Sequence, residues 1–225
     1  MSKINIRQFE SVSALNTAVA ALLKHHIELD YPGTHAVMLS GGKTPFAAYR
    51  LLSGKSCVPS RKLRLFLSDE RLVPETSCES NFGNMRFMFN DLGLNEKQLI
   101  RVNSALNPGD AAARYNLDLQ SLVNKGGNIS LGLLGLGPDG HTASLFSCKD
   151  LERAKGTYAV SVTAPDGMNR VSVTPRLISK IRQVVFVVSG EGKKAIVDKL
   201  ISNPFGVIAG LAVAGVSMKD LWFAA

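Results

Sequence analysis

Residues 131–136 read Leu-Gly-Leu-Leu-Gly-Leu and carry no polar side chain. A run that short and that apolar reads as a strand buried on both faces, as in a parallel sheet. It breaks at Gly135, Gly137 and Gly140, with Pro138, Asp139 and His141 inside the turn. Glycine adopts backbone conformations closed to other residues and lets a ligand approach the main chain. In open α/β sheets, ligands lie outside the carboxyl ends of the strands. A carboxylate and an imidazole at such an end therefore make a candidate active site. The plainer reading has Asp139 cap a helix and His141 pack in a loop. The turn alone does not choose between them.

The same pattern of strand, glycine turn and helix recurs. Residues 4–9 read as a first strand. Helical spacing follows over 11–30, with Ser11 or Ser13 as N-cap. His25 and His26 fall late in that helix, where cations suit the dipole. Residues 35–39 form a strand that runs into Ser-Gly-Gly-Lys-Thr-Pro-Phe at 40–46 and then a helix to 52. Gly41, Gly42, Lys43 and Thr44 thus stand at a helix N-terminus, a natural anion site for which phosphate is the expected ligand. The stretch imitates a P-loop, but the first glycine of that motif is replaced by Val37.

Residues 63–67 alternate as a strand and end in Ser68-Asp69-Glu70-Arg71. Three charges at a strand end must be solvated or paired. Either they form a local ion pair in a solvated turn, or Arg71 grips an anion with its planar fork. Ser80-Asn81 can cap a helix over 82–89, and 144–146 read as a short helix. Further strands are expected at 99–102, 158–162, 170–174 and 183–188. Helices are expected at 111–123 and from 193 to 201, with a helical turn at 175–181. Lys193 falls in a first helical turn, against the dipole; it is either solvated or near a bound anion.

Alternating strands and helices describe a doubly wound α/β fold. No linker or repeat divides the 225 residues, so one domain over 1–225 is expected. The net charge of +8 is scattered, without the dense run of a nucleic-acid tail. Cys57, Cys78 and Cys148 form no Cys-x-x-Cys pair, which fits a reducing compartment. The N-terminal stretch lacks the apolar core of a signal peptide, and the apolar run 207–216 is too short to span a bilayer. The expectation is a cytoplasmic protein with no nucleic-acid or membrane partner, a monomer or small homo-oligomer.

Five segments in order, LSGGKTP, LFLSDERLVP followed by ESN, LGLLGLGPDGHTASLF, RVSVTP and VVFVVSGEGKK, span residues 39–194. Together they resemble the 6-phosphogluconolactonase family, related to glucosamine-6-phosphate deaminases and more distantly to ribose-5-phosphate isomerase. The resemblance implies a Rossmann-like, mostly parallel sheet with helices on both faces, the fold shared with those enzymes and the CoA transferases. It implies hydrolysis of a phosphorylated sugar lactone without metal or organic cofactor. On that basis His141 is the candidate base and Asp139 orients it or contacts substrate hydroxyls. Gly41, Gly42, Lys43, Thr44, Asp69, Arg71, Asn81, Gly137, Arg170 and Lys193 are candidate substrate contacts. The oxyanion would meet backbone N–H groups near Gly137 or in the 41–42 turn. Ser144 lies outside any nucleophile elbow. Lys43 stands where the family often has Ser, and 164–169 holds fewer prolines than the family pattern. The rival deaminase chemistry needs a carboxylate five residues after the His, where this chain has Phe146. A sugar-phosphate sensor would keep the phosphate loop but has no need of His141.

Overall fold

The computed structural model describes residues 3–54 and 56–225. In chain order its elements are β1 (Ile4–Phe9), α1 (Val12–Ile27), β2 (His35–Leu39), α2 (Lys43–Ser53), β3 (Leu63–Leu67), β4 (Asp69–Arg71), α3 (Asn81–Asp91), β5 (Leu99–Ile100), α4 (Pro108–Asn124) and β6 (Asn128–Leu134). They continue as α5 (Cys148–Arg153), β7 (Ala159–Thr163), β8 (Asn169–Val173), α6 (Pro175–Ile178), β9 (Ile181–Ser189), α7 (Lys194–Ser202), α8 (Ile208–Ala212) and β10 (Met218–Ala224).

Seven strands form one sheet in the order β1-β10-β9-β6-β2-β3-β5, with every pairing parallel. From β2 the chain winds outward through β3 to β5. It then returns to β6 on the other side of β2 and winds outward through β9 and β10. The winding therefore reverses between β2 and β6, and ligands in such sheets lie outside the strand ends at that reversal.

Strand side chains alternate between two cores. Val37, Leu39, Leu65, Leu67, Val185 and Val187 pack with α1, α2 and α3. Ala36, Met38, Phe66, Val184, Phe186 and Val188 pack with α4, α6, α7 and α8. In β6 the register slips opposite Ala36 and Val37, so Ile129 and Leu131 enter opposite cores although two residues apart. Ser130, at the slip, donates its hydroxyl to Ala36 O at 3.4 Å and contacts His26 Nδ1 at 3.0 Å.

Two readings from the sequence are corrected, and one segment left without an element gains one. Asp69–Arg71 is a short strand, not a turn. It pairs antiparallel with β8 in a second sheet of order β4-β8-β7. Arg170 consequently lies within this small sheet rather than at an end of the large one. Residues 144–146 form no helix; Thr142 and Leu145 form an isolated bridge, and α5 begins at Cys148 under the Ser147 cap. The final segment is β10, a central parallel strand between β1 and β9. Elsewhere Ser11 is the N-cap of α1 and Ser80 that of α3, through bonds from Ala14 N and Gly83 N. No described helix is long and apolar enough to cross a membrane.

His26 links stability to pH. Burial first, then the neighbouring charges of His25 and His35, lower its pKa from 6.5 to about 4. The unfolded chain thus binds the proton more readily, so the stability present above pH 6.5 is lost as pH falls toward 4. Thermal melts should show Tm falling by several degrees across that window, on the order expected for a domain this size. His26→Gln should flatten the slope; parallel curves for the two proteins would count against the assignment.

Candidate active site

A cavity of about 320 Å³ opens over the carboxyl ends of β2, β3, β6 and β9. Its lining includes Gly41, Gly42, Thr44, Asp69, Arg71, Asn81, Gly137, His141, Arg170 and Lys193. Residues expected from distant parts of the sequence therefore meet around one space. The side chain of Lys43 lies outside the described residues. Asp139 does not line the cavity but reaches His141.

The strand ends beneath the cavity are held by buried side chains. The Tyr49 hydroxyl donates to Ser40 O at 2.8 Å and accepts from Ser40 N at 3.2 Å. Tyr115 donates to Leu67 O at 2.6 Å. Burial raises the pKa of both phenols, which keeps them neutral donors. Lys193 Nζ donates to Leu136 O at 2.7 Å. Burial lowers the pKa of this ammonium, and the charge of Asp139 works in the opposite direction. The Thr44 and Ser189 hydroxyls, 2.8 Å apart, tie the first glycine loop to the end of β9.

His141 Nδ1 stands 2.6 Å from Asp139 Oδ1. Burial raises the Asp139 pKa, but hydrogen bonds from the His141 ring and backbone outweigh it and leave the carboxyl below its usual value. An ionised carboxylate only accepts, so Nδ1 carries a proton, and in the neutral ring Nε2 is the nitrogen with the lone pair. The Phe146 ring lies 4.6 Å from the imidazole, centroid to centroid, and Arg170 Cζ lies 5.5 Å from the same ring. One aromatic side chain thus touches both the imidazole and a cavity guanidinium.

Gly137 makes this pairing sterically possible. A Cβ there would come within 2.2 Å of His141 Nδ1 and 2.5 Å of Asp139 Oδ1. Its N–H donates to His141 O at 2.8 Å, so the expectation of an oxyanion donor at Gly137 is corrected: that N–H closes the turn. Among the described residues, no such closing bond is formed by Gly41 or Gly42. Gly42 caps α2 without a side-chain hydrogen bond, leaving N–H groups at the helix N-terminus available to an anion. Gly41 itself lies against Asn81, whose Oδ1 would be 2.2 Å from an added Cβ.

The three residues of β4 have separate roles. Asp69 is buried, and its two oxygens accept from the Ser68 and Ser144 hydroxyls at 2.9 and 2.7 Å. Ser144 is thereby buried and engaged. Glu70 accepts from the backbone N–H of Arg71, Asn81 and Phe82 at 2.7, 2.8 and 2.7 Å. Burial raises its pKa against those bonds. Arg71 enters the cavity. Its ion-pair partner is Glu79, rather than Asp69 or Glu70. Arg71 faces Arg170 in the β4–β8 register. Phe146 and Ser189 were not foreseen as part of this site. Ser189 had a signal, since it follows a strand and precedes a glycine just as Ser40 does.

Gly137→Ala should keep the fold but force Asp139 and His141 apart. A displacement near 1 Å at a reacting group costs on the order of 10² in rate. Turnover should drop by about that factor with a near-native circular dichroism spectrum. Full activity would show that the pair is not needed.

A family model described as glucosamine-6-phosphate isomerases/6-phosphogluconolactonase matches residues 8–214. The 6-phosphogluconolactonase of Chlamydia pneumoniae is 34% identical over 171 residues, which are 75% of this chain and 65% of that protein. The human 6-phosphogluconolactonase is 33% identical over 211 residues, 88% of this chain and 81% of its own length. The crystal structure of 6-phosphogluconolactonase from Thermotoga maritima superposes with a TM-score of 0.80 at 25% identity, covering 100% of this chain and 99% of that one. The chain belongs to the glucosamine-6-phosphate isomerase/6-phosphogluconolactonase family.

Proposed function

We propose that this protein is a 6-phosphogluconolactonase. It hydrolyses 6-phospho-D-glucono-1,5-lactone to 6-phosphogluconate, the second step of the oxidative pentose phosphate pathway. The observation that carries the catalytic assignment is the 2.6 Å Asp139–His141 pair, whose imidazole lines a cavity that also holds Arg71, Arg170 and Lys193.

His141 Nε2 takes a proton from a water as that water's oxygen bonds to the lactone carbonyl carbon. Asp139 holds the Nδ1–H and balances the imidazolium that forms. The carbonyl oxygen becomes an oxyanion, for which the N–H groups of Gly41 and Gly42 are the candidate donors. On collapse the bond from carbon to ring oxygen breaks. The imidazolium returns its proton to that oxygen, and the open-chain acid leaves. The phosphate is placed against the α2 N-terminus, with Thr44, Arg71 and Arg170 around it. Lys193 and Asn81 border the sugar. Asp69 acts mainly by holding Ser144, with its oxygens already accepting.

Phe146 favours this reading over a deaminase. It puts a hydrocarbon ring against His141, where ring opening and enolisation require a second carboxylate. We assign the whole chain, residues 1–225, to one catalytic domain. We further assign it to the cytoplasm, as a monomer or small homo-oligomer.

Fresh 6-phosphogluconolactone and, separately, glucosamine 6-phosphate test the proposal. Acid release above the spontaneous rate is expected from the first; ammonia release from the second would replace the proposal. His141→Asn should fold and lose about 10²–10⁴ in kcat. Near wild-type kcat in that variant would move the base elsewhere. Arg71→Ala should reduce kcat/KM for the phosphorylated lactone by roughly 10- to 100-fold, the scale of one charge-assisted hydrogen bond, and far less for the plain lactone. Equal losses on both would remove Arg71 from the phosphate site.

A further inference from the structure

Arg71 and Arg170 stand opposite one another in the β4–β8 register and both line the cavity, yet their forks are not equally available. Each guanidinium has a side-on edge formed by Nε and Nη2, which grips a carboxylate or phosphate bidentately. Arg71 is held through Nη1, by Glu79 O at 2.6 Å and Glu79 Oε2 at 3.4 Å. Among the described residues its side-on edge has no hydrogen-bond partner, and its Nε is buried. Arg170 is held through Nη2, by Asp166 Oδ2. Its Nε is also buried without a partner. Half of its side-on edge is therefore already occupied by an anion from the chain itself.

Asp166 is fixed for that contact. It sits at the tip of the turn joining β7 and β8, closed by Ala164 N to Met168 O and Gly167 N to Ala164 O, each 2.9 Å. Its second oxygen accepts from Met168 N at 2.9 Å. That backbone bond, with the charges of Arg170 and Arg71, holds the Asp166 carboxyl below its usual range. The side chain of Asp166 is 52% exposed while that of Arg170 is 13% exposed, so the carboxylate can swing into water while the guanidinium stays in place.

We propose that Asp166 is a built-in counter-ion that occupies the fork of Arg170 in the empty site and is displaced by the incoming phosphate, weakening anion binding and setting the substrate's KM. The proposal rests on the phosphate placement above, though not on turnover. With Glu79 already on Arg71, such a device leaves each of the two facing guanidiniums with a counter-charge when no substrate is bound. Repulsion between them would otherwise strain the short β4–β8 pairing.

The test titrates inorganic phosphate into the wild type, Asp166→Asn, Glu79→Gln, Arg170→Ala and the Asp166→Asn/Arg170→Ala double variant by calorimetry, with KM for the phosphorylated lactone measured alongside. Asn retains an acceptor for Met168 N, so the turn should persist. Asp166→Asn should bind phosphate about two- to fivefold more tightly, the range for release of one exposed ion pair, with a matching fall in KM. Glu79→Gln should change less, because Glu79 holds Nη1 and leaves the side-on edge of Arg71 unpaired. The gain should vanish in the Arg170→Ala background. Weaker phosphate binding by Asp166→Asn would show that the carboxylate positions Arg170 instead, and a gain that survives Arg170→Ala would show that it does not act through this fork. If the gain appears but no lactone is hydrolysed by the wild type, the functional reading fails and the counter-ion stands.

Discussion

The site depends on how a parallel sheet ends. At the carboxyl edge each strand leaves a carbonyl without the next ladder partner, and burying such a group unpaired is costly. Here the ends of β2 and β3 and the loop beyond β6 each receive a donor from a side chain of a different element: Tyr49, Tyr115 and Lys193. Two of those donors are phenols sealed in the core. The third is an ammonium that also borders the cavity. Holding the carbonyls fixes where each glycine loop leaves the sheet. The Gly41–Gly42 turn and the Asp139–His141 turn are thus placed relative to one another by the core.

Much of this was legible in the sequence, and the reason is local. Apolar strand runs that stop at glycines occur at 39–42, 134–140 and 188–190, and in the structure all three border the cavity. The chemistry near those stops was legible too, since Asp139 and His141 are two residues apart and their contact is set within one turn. The strand order was not legible. It depends on which edges pair, and identical apolar runs carry no address.

The parts that the sequence did not disclose share one cause: each takes its state from a distant partner. Met218–Ala224 is a central strand because β1 and β9 flank it, although its own sequence includes Lys219 and Asp220. Asp220 is accommodated by Gln183 and Asn5, which donate to its two oxygens at 2.7 and 3.3 Å. Phe146 stood out only as the place where a deaminase would carry a carboxylate, because an aromatic in an apolar stretch otherwise reads as core. Its importance lies in what it touches: His141 on the large sheet's loop and Arg170 on the small sheet.

The charged triplet Asp69-Glu70-Arg71 shows why the small sheet exists. A three-residue strand is too short to be stable through its ladder alone. Strand alternation turns consecutive side chains to opposite sides, and here each finds a different partner. Glu70 caps the start of α3 by accepting from the backbone N–H groups of Asn81 and Phe82, Asp69 fastens Ser144 after the His141 turn, and Arg71 reaches the cavity. Burying two carboxylates costs free energy unless their oxygens are satisfied, and here all four oxygens accept hydrogen bonds. Slipping this strand by one residue would turn Glu70 away from α3 and put a carboxylate where Arg71 faces the cavity. The electrostatic cost of that slip sets the register, and the register sets Arg71 opposite Arg170. The buried charges therefore serve the cavity indirectly, by leaving the strand that carries its guanidinium one stable place to lie.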